Sequence, residues 1–143
     1  MRKTLIFTLC LVLTAVSVPA TIKHSSLKDH WVGTIREFSI VSGIHENPFH
    51  LHIEKLLEYE RAGEIEYKHW GCKNTITFMH LHKGIFYFAE TRLSGRCQGG
   101  IVRAWFRDVD IIEWEFTPDG GTAPTARAIL SRLVPVSEQD KQQ

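Results

Sequence analysis

Residues 101–116 read IVRAWFRDVDIIEWEF, and this stretch shows most clearly what structure the chain forms. In its second half, apolar side chains at positions 112, 114 and 116 alternate with glutamates at 113 and 115. A period of two places successive side chains on opposite faces of a β-strand, one facing the core and the other mostly facing water. The segment Asp108-Val109-Asp110 between the halves is typical of a tight turn. The stretch therefore predicts an antiparallel β-hairpin.

The same alternation recurs along the chain in short segments separated by Gly, Pro, Asn and Asp. Further tight connections are predicted at Arg61-Ala62-Gly63 and at His82-Lys83-Gly84. Hairpin-linked strands of this number predict an all-β fold, a small antiparallel up-and-down barrel of about eight strands. The predicted strands are Trp31 to Phe38, Phe49 to Leu56, Glu64 to Lys68, Thr75 to His82, Ile85 to Thr91, Ile101 to Phe106, Ile111 to Phe116 and Thr125 to Arg132.

The last of these segments, Thr125 to Arg132, is open to a second interpretation. Ala126, Leu130 and Leu133 fall at helical spacing, which favours a helix. A closing strand is the preferred interpretation, because an open sheet would leave an unpaired edge.

The first 20 residues have the features of a secretory signal peptide. Arg2 and Lys3 precede an apolar run from Leu5 to Val16, and small residues lead to a cleavage site after Ala20. The apolar run is shorter than the roughly 20 residues of a membrane-spanning helix. We therefore expect a secreted or periplasmic protein with no membrane span after cleavage. Residues 21–30 are a polar lead-in, residues 31–134 the barrel domain and residues 135–143 a flexible tail.

Cleavage changes the cysteine count and the charge. Cys10 leaves with the signal, so Cys72 and Cys97 remain in a compartment where thiols oxidise, and we expect them to form a disulfide. Closing a loop of about 25 residues stabilises a fold by about 3 kcal/mol in the chain-entropy model. Two of the 17 basic residues leave and all 16 acidic residues stay, so the net charge changes from +1 to about −1. Such a balance gives no electrostatic reason to expect binding to nucleic acid or to an anionic membrane.

Several motifs together resemble a known family. They are Gly63-x-Ile65-x-Tyr67, Gly71-Cys72-x-x-Thr75-Ile76-Thr77, Phe86-x-Phe88-x-Glu90 and Gly95-x-Cys97-x-Gly99-Gly100. The set resembles the small secreted domain of bacterial lipoproteins and of some bacterial serine/threonine kinase C-termini, in which a G-C-x-G-T-L strand and a C-x-G-G turn are joined by a disulfide. The similarity runs from about Trp31 to Arg132. It implies a lipocalin-like barrel and no catalytic residues, and the chain departs from the pattern at Lys73-Asn74, where a glycine is expected.

The tryptophans are interpreted mainly as packing residues. Trp31-Val32-Gly33 is similar to the Gly-x-Trp opening of lipocalins with the order reversed, which implies that Trp31 plugs the closed end of a barrel. Trp70, Trp105 and Trp114 are likewise expected to pack in the core or at the rim. Trp31 and Trp105 are kept as candidate ligand contacts.

Two His-x-His pairs, His50 with His52 and His80 with His82, are the clearest hint of metal chemistry. Residues two apart in a strand project to the same side, so each pair offers two imidazoles to one ion such as zinc or copper. The first pair is expected to face outward, and the second to face inward or lie at the barrel mouth. A site using all four is therefore disfavoured, and one pair with His69 or an acidic neighbour is the remaining arrangement. A zinc hydrolase would also need a positioned base and a bound water, and no HExxH motif is present.

Glu90 is the carboxylate that strand alternation buries, because it shares a face with Phe86 and Phe88. An ion pair with Arg103 or Arg92 is the preferred interpretation, which would hold the interior together. Unpaired, Glu90 would have a raised pKa and mark a polar ligand site, so Glu90 and Arg103 are candidate ligand-binding residues. A G-x-S-x-G motif and a phosphate-binding glycine loop are both missing from the sequence.

The resulting hypothesis is an exported, non-enzymatic binding domain without a cofactor. Its ligand is a small apolar molecule, an envelope component or a protein partner, and the segment Ser42 to Pro48 is the candidate loop for an inhibitor-like contact. The alternative is a histidine-based metal-binding protein or metal-dependent hydrolase. Oligomeric state does not follow from the sequence.

Overall fold

The computed structural model describes residues 27–133, which form one closed antiparallel barrel. The predicted signal peptide and polar tail lie outside the described residues. Each strand pairs with its neighbours in sequence, and β8 pairs with β1 to close the barrel. Within residues 27–133 no helix has the length and apolar character needed to cross a membrane. The strands are β1 Asp29–Ser39, β2 Gly43–Ile53, β3 Arg61–Tyr67, β4 Cys72–His82, β5 Ile85–Ser94, β6 Gly100–Asp108, β7 Ile111–Pro118 and β8 Ala126–Arg132.

The predicted fold class is confirmed, and so is the strand interpretation of the last segment. Ala126–Arg132 is a strand that pairs with β7 on one side and with β1 on the other. The tight connections after His82 and after Asp108 are confirmed as well. Cys72 and Cys97 form the expected disulfide, with Cα atoms 6.0 Å apart, an ordinary separation for such a bond.

The predicted turn at Arg61-Ala62-Gly63 is wrong, because these residues open β3 and the connection from β2 is residues 54–60. Gly63 is needed there for close approach of two backbones. A Cβ at this position would lie 1.9 Å from the carbonyl oxygen of His52, so a larger side chain cannot be accommodated without a shift. A β-bulge between Arg61 and Gly63 adjusts the register at the same place.

The predicted loop from Ser42 to Pro48 is also wrong, since β2 begins at Gly43 and the connection from β1 is residues 40–42. Proline is tolerated at position 48 because β2 pairs with β3 only from Phe49 onward, which leaves residues 43–48 at an edge on that side. The turn carries Ile40 and Val41, whose side chains are fully exposed. An inhibitor-like contact would therefore involve a two-stranded hairpin and not an irregular loop.

Inward side chains fill the barrel, and one end is closed by Trp31. Trp31 is fully buried, and its Nε1 donates a hydrogen bond to the Leu27 carbonyl oxygen at 3.0 Å. The Arg132 guanidinium lies 4.4 Å from the centroid of the Trp31 ring and forms ion pairs with Asp29 and Asp110. This end, where β1 begins and β8 ends, is called the closed end below.

Candidate functional site

The opposite end of the barrel carries the disulfide and opens into a cavity of about 480 Å³. We call it the mouth. Its inner wall comes from strands and its rim from the connections between β3 and β4 and between β5 and β6. Volumes of this size suit a small molecule. The lining residues are Ile35, Glu37, Tyr67, Trp70, Arg96, Cys97, Gln98, Phe116 and Ala126.

One wall of the mouth is a pair of stacked aromatic rings. Tyr67 is the last residue of β3, and Trp70 lies in the turn that follows, with ring centroids 5.4 Å apart. The turn is held from below by Asn47 of β2, whose Oδ1 accepts a hydrogen bond from the backbone N–H of His69 at 2.9 Å. Gly71 completes the turn with a φ of 59°, a left-handed conformation that glycine adopts without strain. The wall is therefore fixed in position by its own short turn.

The rim above this wall is the segment of residues 95–99, which is tied to the barrel at two points. The disulfide joins Cys97 to Cys72 at the start of β4, and Asn74 Nδ2 donates a hydrogen bond to the Gln98 carbonyl oxygen at 3.1 Å. Gly95 lets the segment pass close to the barrel, since a Cβ there would lie 2.5 Å from the Cβ of Cys72. The disulfide thus shapes the rim of the mouth as well as linking two parts of the chain.

Directly behind the aromatic wall lies a buried polar network centred on Glu90. The Tyr67 hydroxyl donates a hydrogen bond to Glu90 Oε1 at 2.7 Å, and Asn74 Nδ2 donates to the same oxygen at 2.6 Å. Glu90 is 3% exposed and Asn74 is fully buried. Glu90 Oε2 and Asn74 Oδ1 have no hydrogen-bond partner within the part of the chain that the structure describes. Two buried oxygen atoms of one network thus have no partner among the described residues, whereas most buried polar atoms in proteins have one.

The predicted burial of Glu90 is confirmed, but the preferred ion pair with Arg103 or Arg92 is wrong. Arg103 alternates with the inward residues of β6 and so lies on the outer face, where it forms an ion pair with Glu115. Arg92 is exposed beyond the buried part of β5. Strand alternation, which placed Glu90 inside, also places its proposed partner outside.

Burial is the main cause of the altered acid–base behaviour of this network. It raises the pKa of Glu90 to about 7, although the hydrogen bonds from Tyr67 and Asn74 act in the opposite direction. Burial also raises the pKa of Tyr67 well above its usual value, helped by the negative charges of Glu90 and Glu37. The Glu90 carboxyl group is therefore neutral at mildly acidic pH, and its charge changes near neutrality.

The mouth contains two opposite charges that do not pair with each other. Glu37 follows Ile35 by two residues on β1 and shares its inward side, while Arg96 projects from the rim segment. Neither side chain forms an ion pair or side-chain hydrogen bond with any residue between positions 27 and 133. Both charges are therefore available to a ligand that enters the mouth.

The other candidate ligand residues lie elsewhere. Trp31 plugs the closed end, and Trp105 lies half-buried on the outer face of β6. Trp105 and Arg103 do come together, lining a shallow outer cavity of about 490 Å³ beside the turn after β4. Of the four residues named from the sequence, only Glu90 belongs to the network at the mouth.

The histidine pairs lie on the outer surface. His50 and His52 face outward as expected, and the ring of His52 stacks on that of His30 with centroids 3.9 Å apart. The inward or mouth position expected for His80 and His82 is wrong: both are exposed at the end of β4 away from the disulfide. A β-bulge between Phe78 and His80 shifts the register, so His80 stacks on the outward ring of Tyr87 at 4.6 Å.

Among residues 27–133, no group of three or more His, Cys, Asp or Glu side chains is arranged to hold a metal ion. His30, His50 and His52 do line one shallow surface cavity, together with Glu64 and Glu66. Metal binding at the His-x-His pairs stays a prediction from the sequence.

Sequence reasoning missed most of the mouth. Glu37, Arg96 and Gln98 were not singled out. Trp70 was expected in the core or at the rim but only as a packing residue, and Tyr67 was treated only as part of a structural motif. A usable signal did exist for Glu37 and for Asn74, because each occupies the inward register of its strand. A polar residue at such a position is a candidate for an interior or mouth site.

Comparison with protein-family models, with curated protein sequences and with solved structures finds no match for this chain.

Proposed function

We propose that this chain is an exported, non-enzymatic binding domain that holds a small molecule in the mouth of a lipocalin-like barrel. The observation that carries this proposal is the combination of a cavity of about 480 Å³ with the buried network behind it. The cavity walls include Ile35, Phe116 and Ala126, which favour an apolar ligand body. Binding sites commonly combine such walls with a few polar groups that fix orientation.

The two ends of the barrel support this assignment. Trp31 and Arg132 fill the closed end with paired groups, whereas the mouth leaves charged and polar groups unpaired. Unpaired buried polar atoms cost stability, and binding of a ligand is one physical reason to retain them. The lipocalin-like assignment rests on the up-and-down closed barrel and on the sequence resemblance. Secretion or residence in the periplasm rests on residues 1–20.

The proposal is tested by native mass spectrometry of the exported protein, which reports a retained small molecule, bound metal and oligomeric state together. We expect a bound species of less than about 1 kDa, consistent with the cavity size. Gln98→Trp places a large ring on the rim of the mouth and should abolish retention. Glu58→Trp, an exposed position in the connection between β2 and β3, is the matched control and should retain the ligand.

Two results would contradict the proposal. One is a native protein that carries no small molecule and binds none from a library of small aromatic and aliphatic compounds. The other is equal ligand retention in Gln98→Trp and Glu58→Trp, which would place the binding site away from the mouth. Zinc or copper bound in stoichiometric amount, lost in a variant of His50 and His52, would support the metal-binding alternative instead.

A further inference from the structure

The charges of the mouth are arranged for a ligand that carries both signs. Glu37 and Arg96 line one cavity, and neither has an ion-pair partner among the residues that the structure describes. Exposed charges on a protein surface are commonly solvated and need no partner. These two differ because they share a concave space with apolar walls, where Coulomb interactions with a ligand are stronger than on an open surface.

The cavity that holds the two charges is also lined by apolar and aromatic surface. Tyr67 and Trp70 form the stacked wall, and Phe116 and Ile35 add apolar lining. Glu37 is close enough to the Tyr67 hydroxyl for its negative charge to contribute to the raised pKa of that group. The Glu37 carboxylate and the aromatic wall line the same cavity, so a cationic group bound to Glu37 would also be within reach of aromatic rings.

A ligand with one charge would leave the other charged side chain of the cavity unpaired and partly desolvated. A ligand with a cationic and an anionic group at opposite ends of an apolar body would satisfy both. We propose that the mouth binds a small zwitterion, with its ammonium group on Glu37, its carboxylate on Arg96 and its apolar body on the Tyr67–Trp70 wall. This inference rests on the proposed function of the mouth and names its ligand class.

The test uses unbranched ω-amino carboxylates as probes, from 4-aminobutanoate to 8-aminooctanoate, in calorimetric titrations of the mature protein. The series varies the distance between the charges, so we expect one length to bind best. At that length the zwitterion should bind at least about tenfold tighter than the alkylamine or the carboxylate of equal length. The alcohol of equal length measures the contribution of the apolar walls alone.

Variants assign each end of the ligand. Glu37→Gln and Arg96→Gln should each reduce the affinity for the zwitterion to that of a singly charged probe. The double variant Glu37→Arg with Arg96→Glu should recover binding, since the zwitterion can enter in the reversed orientation. Glu58→Gln and Arg107→Gln, exposed positions near the closed end, are matched controls that should leave affinity unchanged. Circular dichroism checks that each variant keeps the fold.

The outcomes separate this inference from the proposed function. Equal affinity for the zwitterion, the singly charged probes and the alcohol would overturn the zwitterion assignment and leave small-molecule binding at the mouth intact. Failure of the double variant to recover binding, with its fold intact, would also overturn it. If the alcohol, the zwitterions and the compound library all fail to bind, the proposed function itself falls.

Discussion

The two ends of this barrel are built from similar residues but use them in opposite ways. At the closed end, Arg132 packs over Trp31 and pairs with Asp29 and Asp110, so charge and aromatic surface satisfy each other within the protein. At the mouth, Trp70 stacks on Tyr67 but stays 40% exposed, and Glu37 and Arg96 form no ion pair with each other. The comparison separates residues that hold the barrel together from residues available to a ligand.

The largest expected difference in stability comes from replacing one tryptophan at each end of the barrel with alanine. Trp31→Ala should lower the free energy of unfolding by about 3–5 kcal/mol, because it removes a fully buried indole. Trp70→Ala removes a ring that is 40% exposed and should cost about 1 kcal/mol while weakening ligand binding. Urea denaturation of both variants measures the difference. If both variants lost the same free energy of unfolding, the proposed difference between the closed end and the mouth would be wrong.

The next effect concerns the charge of Glu90. Its pKa is about 7 in the folded protein against an ordinary value of 4.5, so the folded state holds a proton that the unfolded chain releases between these pH values. The contribution of Glu90 is thus greatest below pH 4.5, and the free energy of unfolding falls as pH rises to about 7. The full loss is on the order of 3 kcal/mol.

The variant Glu90→Gln isolates this effect, because an amide keeps the size of the side chain and does not titrate. We expect the stability of the wild-type protein relative to Glu90→Gln to decrease between pH 4.5 and 7 and then to level off. Denaturation curves at a series of pH values give the comparison. A constant difference across this range would show that the Glu90 carboxyl group titrates normally.

Removal of the disulfide should affect stability and the mouth together. Cys72→Ala with Cys97→Ser should lower the free energy of unfolding by about 3 kcal/mol. Because the bond also ties down residues 95–99, amide hydrogen exchange in that segment should become faster while exchange around Trp31 changes little. Uniformly faster exchange over the whole barrel would mean that the bond has no special role at the rim.

A smaller change is expected when the network loses one hydrogen bond. Tyr67→Phe removes the hydroxyl that donates to Glu90 and should cost about 1–2 kcal/mol. That hydrogen bond lowers the pKa of Glu90, so the variant should raise it further. A carbon-13 titration of the Glu90 carboxyl group detects the shift, and a lower pKa in the variant would contradict the structural account.

The smallest effect is expected on the outer face. His50→Ala with His52→Ala should change stability by about 0.5 kcal/mol or less, since both side chains contact solvent, and should leave ligand binding at the mouth unchanged. Elemental analysis of untagged wild-type protein completes this test. A metal bound in stoichiometric amount to the wild-type protein and absent from the double variant would support metal binding by His50 and His52.

The sequence-based prediction of the fold depends mainly on strand alternation. It placed Phe88, Trp114 and Glu90 inside, and the final strand followed from the need to close the sheet. It failed where the period is interrupted: the bulge after Phe78 turned His80 outward, and Gly63 was taken as a turn residue because glycine serves both turns and close backbone contacts. These interruptions depend on contacts between strands, which a single segment does not reveal.

The candidate site was less predictable for the same physical reason. Glu37, Tyr67 and Arg96 are far apart in sequence. They line one cavity because β1, β3 and the connection between β5 and β6 reach the same end of the barrel. Part of the network around Glu90 was predictable. The burial of Glu90 follows from alternation within β5, but its hydrogen-bond partners depend on the register of β3 and β4. A search for inward polar residues in every strand would have named Glu37, Asn74 and Glu90 together.

The pairing of Trp31 with Arg132 brings the first and last strands side by side at the closed end. Chain that precedes Asp29 and chain that follows Arg132 therefore start from neighbouring points, on the side of the barrel away from the mouth. A tag, a surface attachment or a fused domain added at either point would leave the mouth directed outward. The same proximity would let a short linker join the two points, with a new start introduced at the exposed turn of residues 83–84.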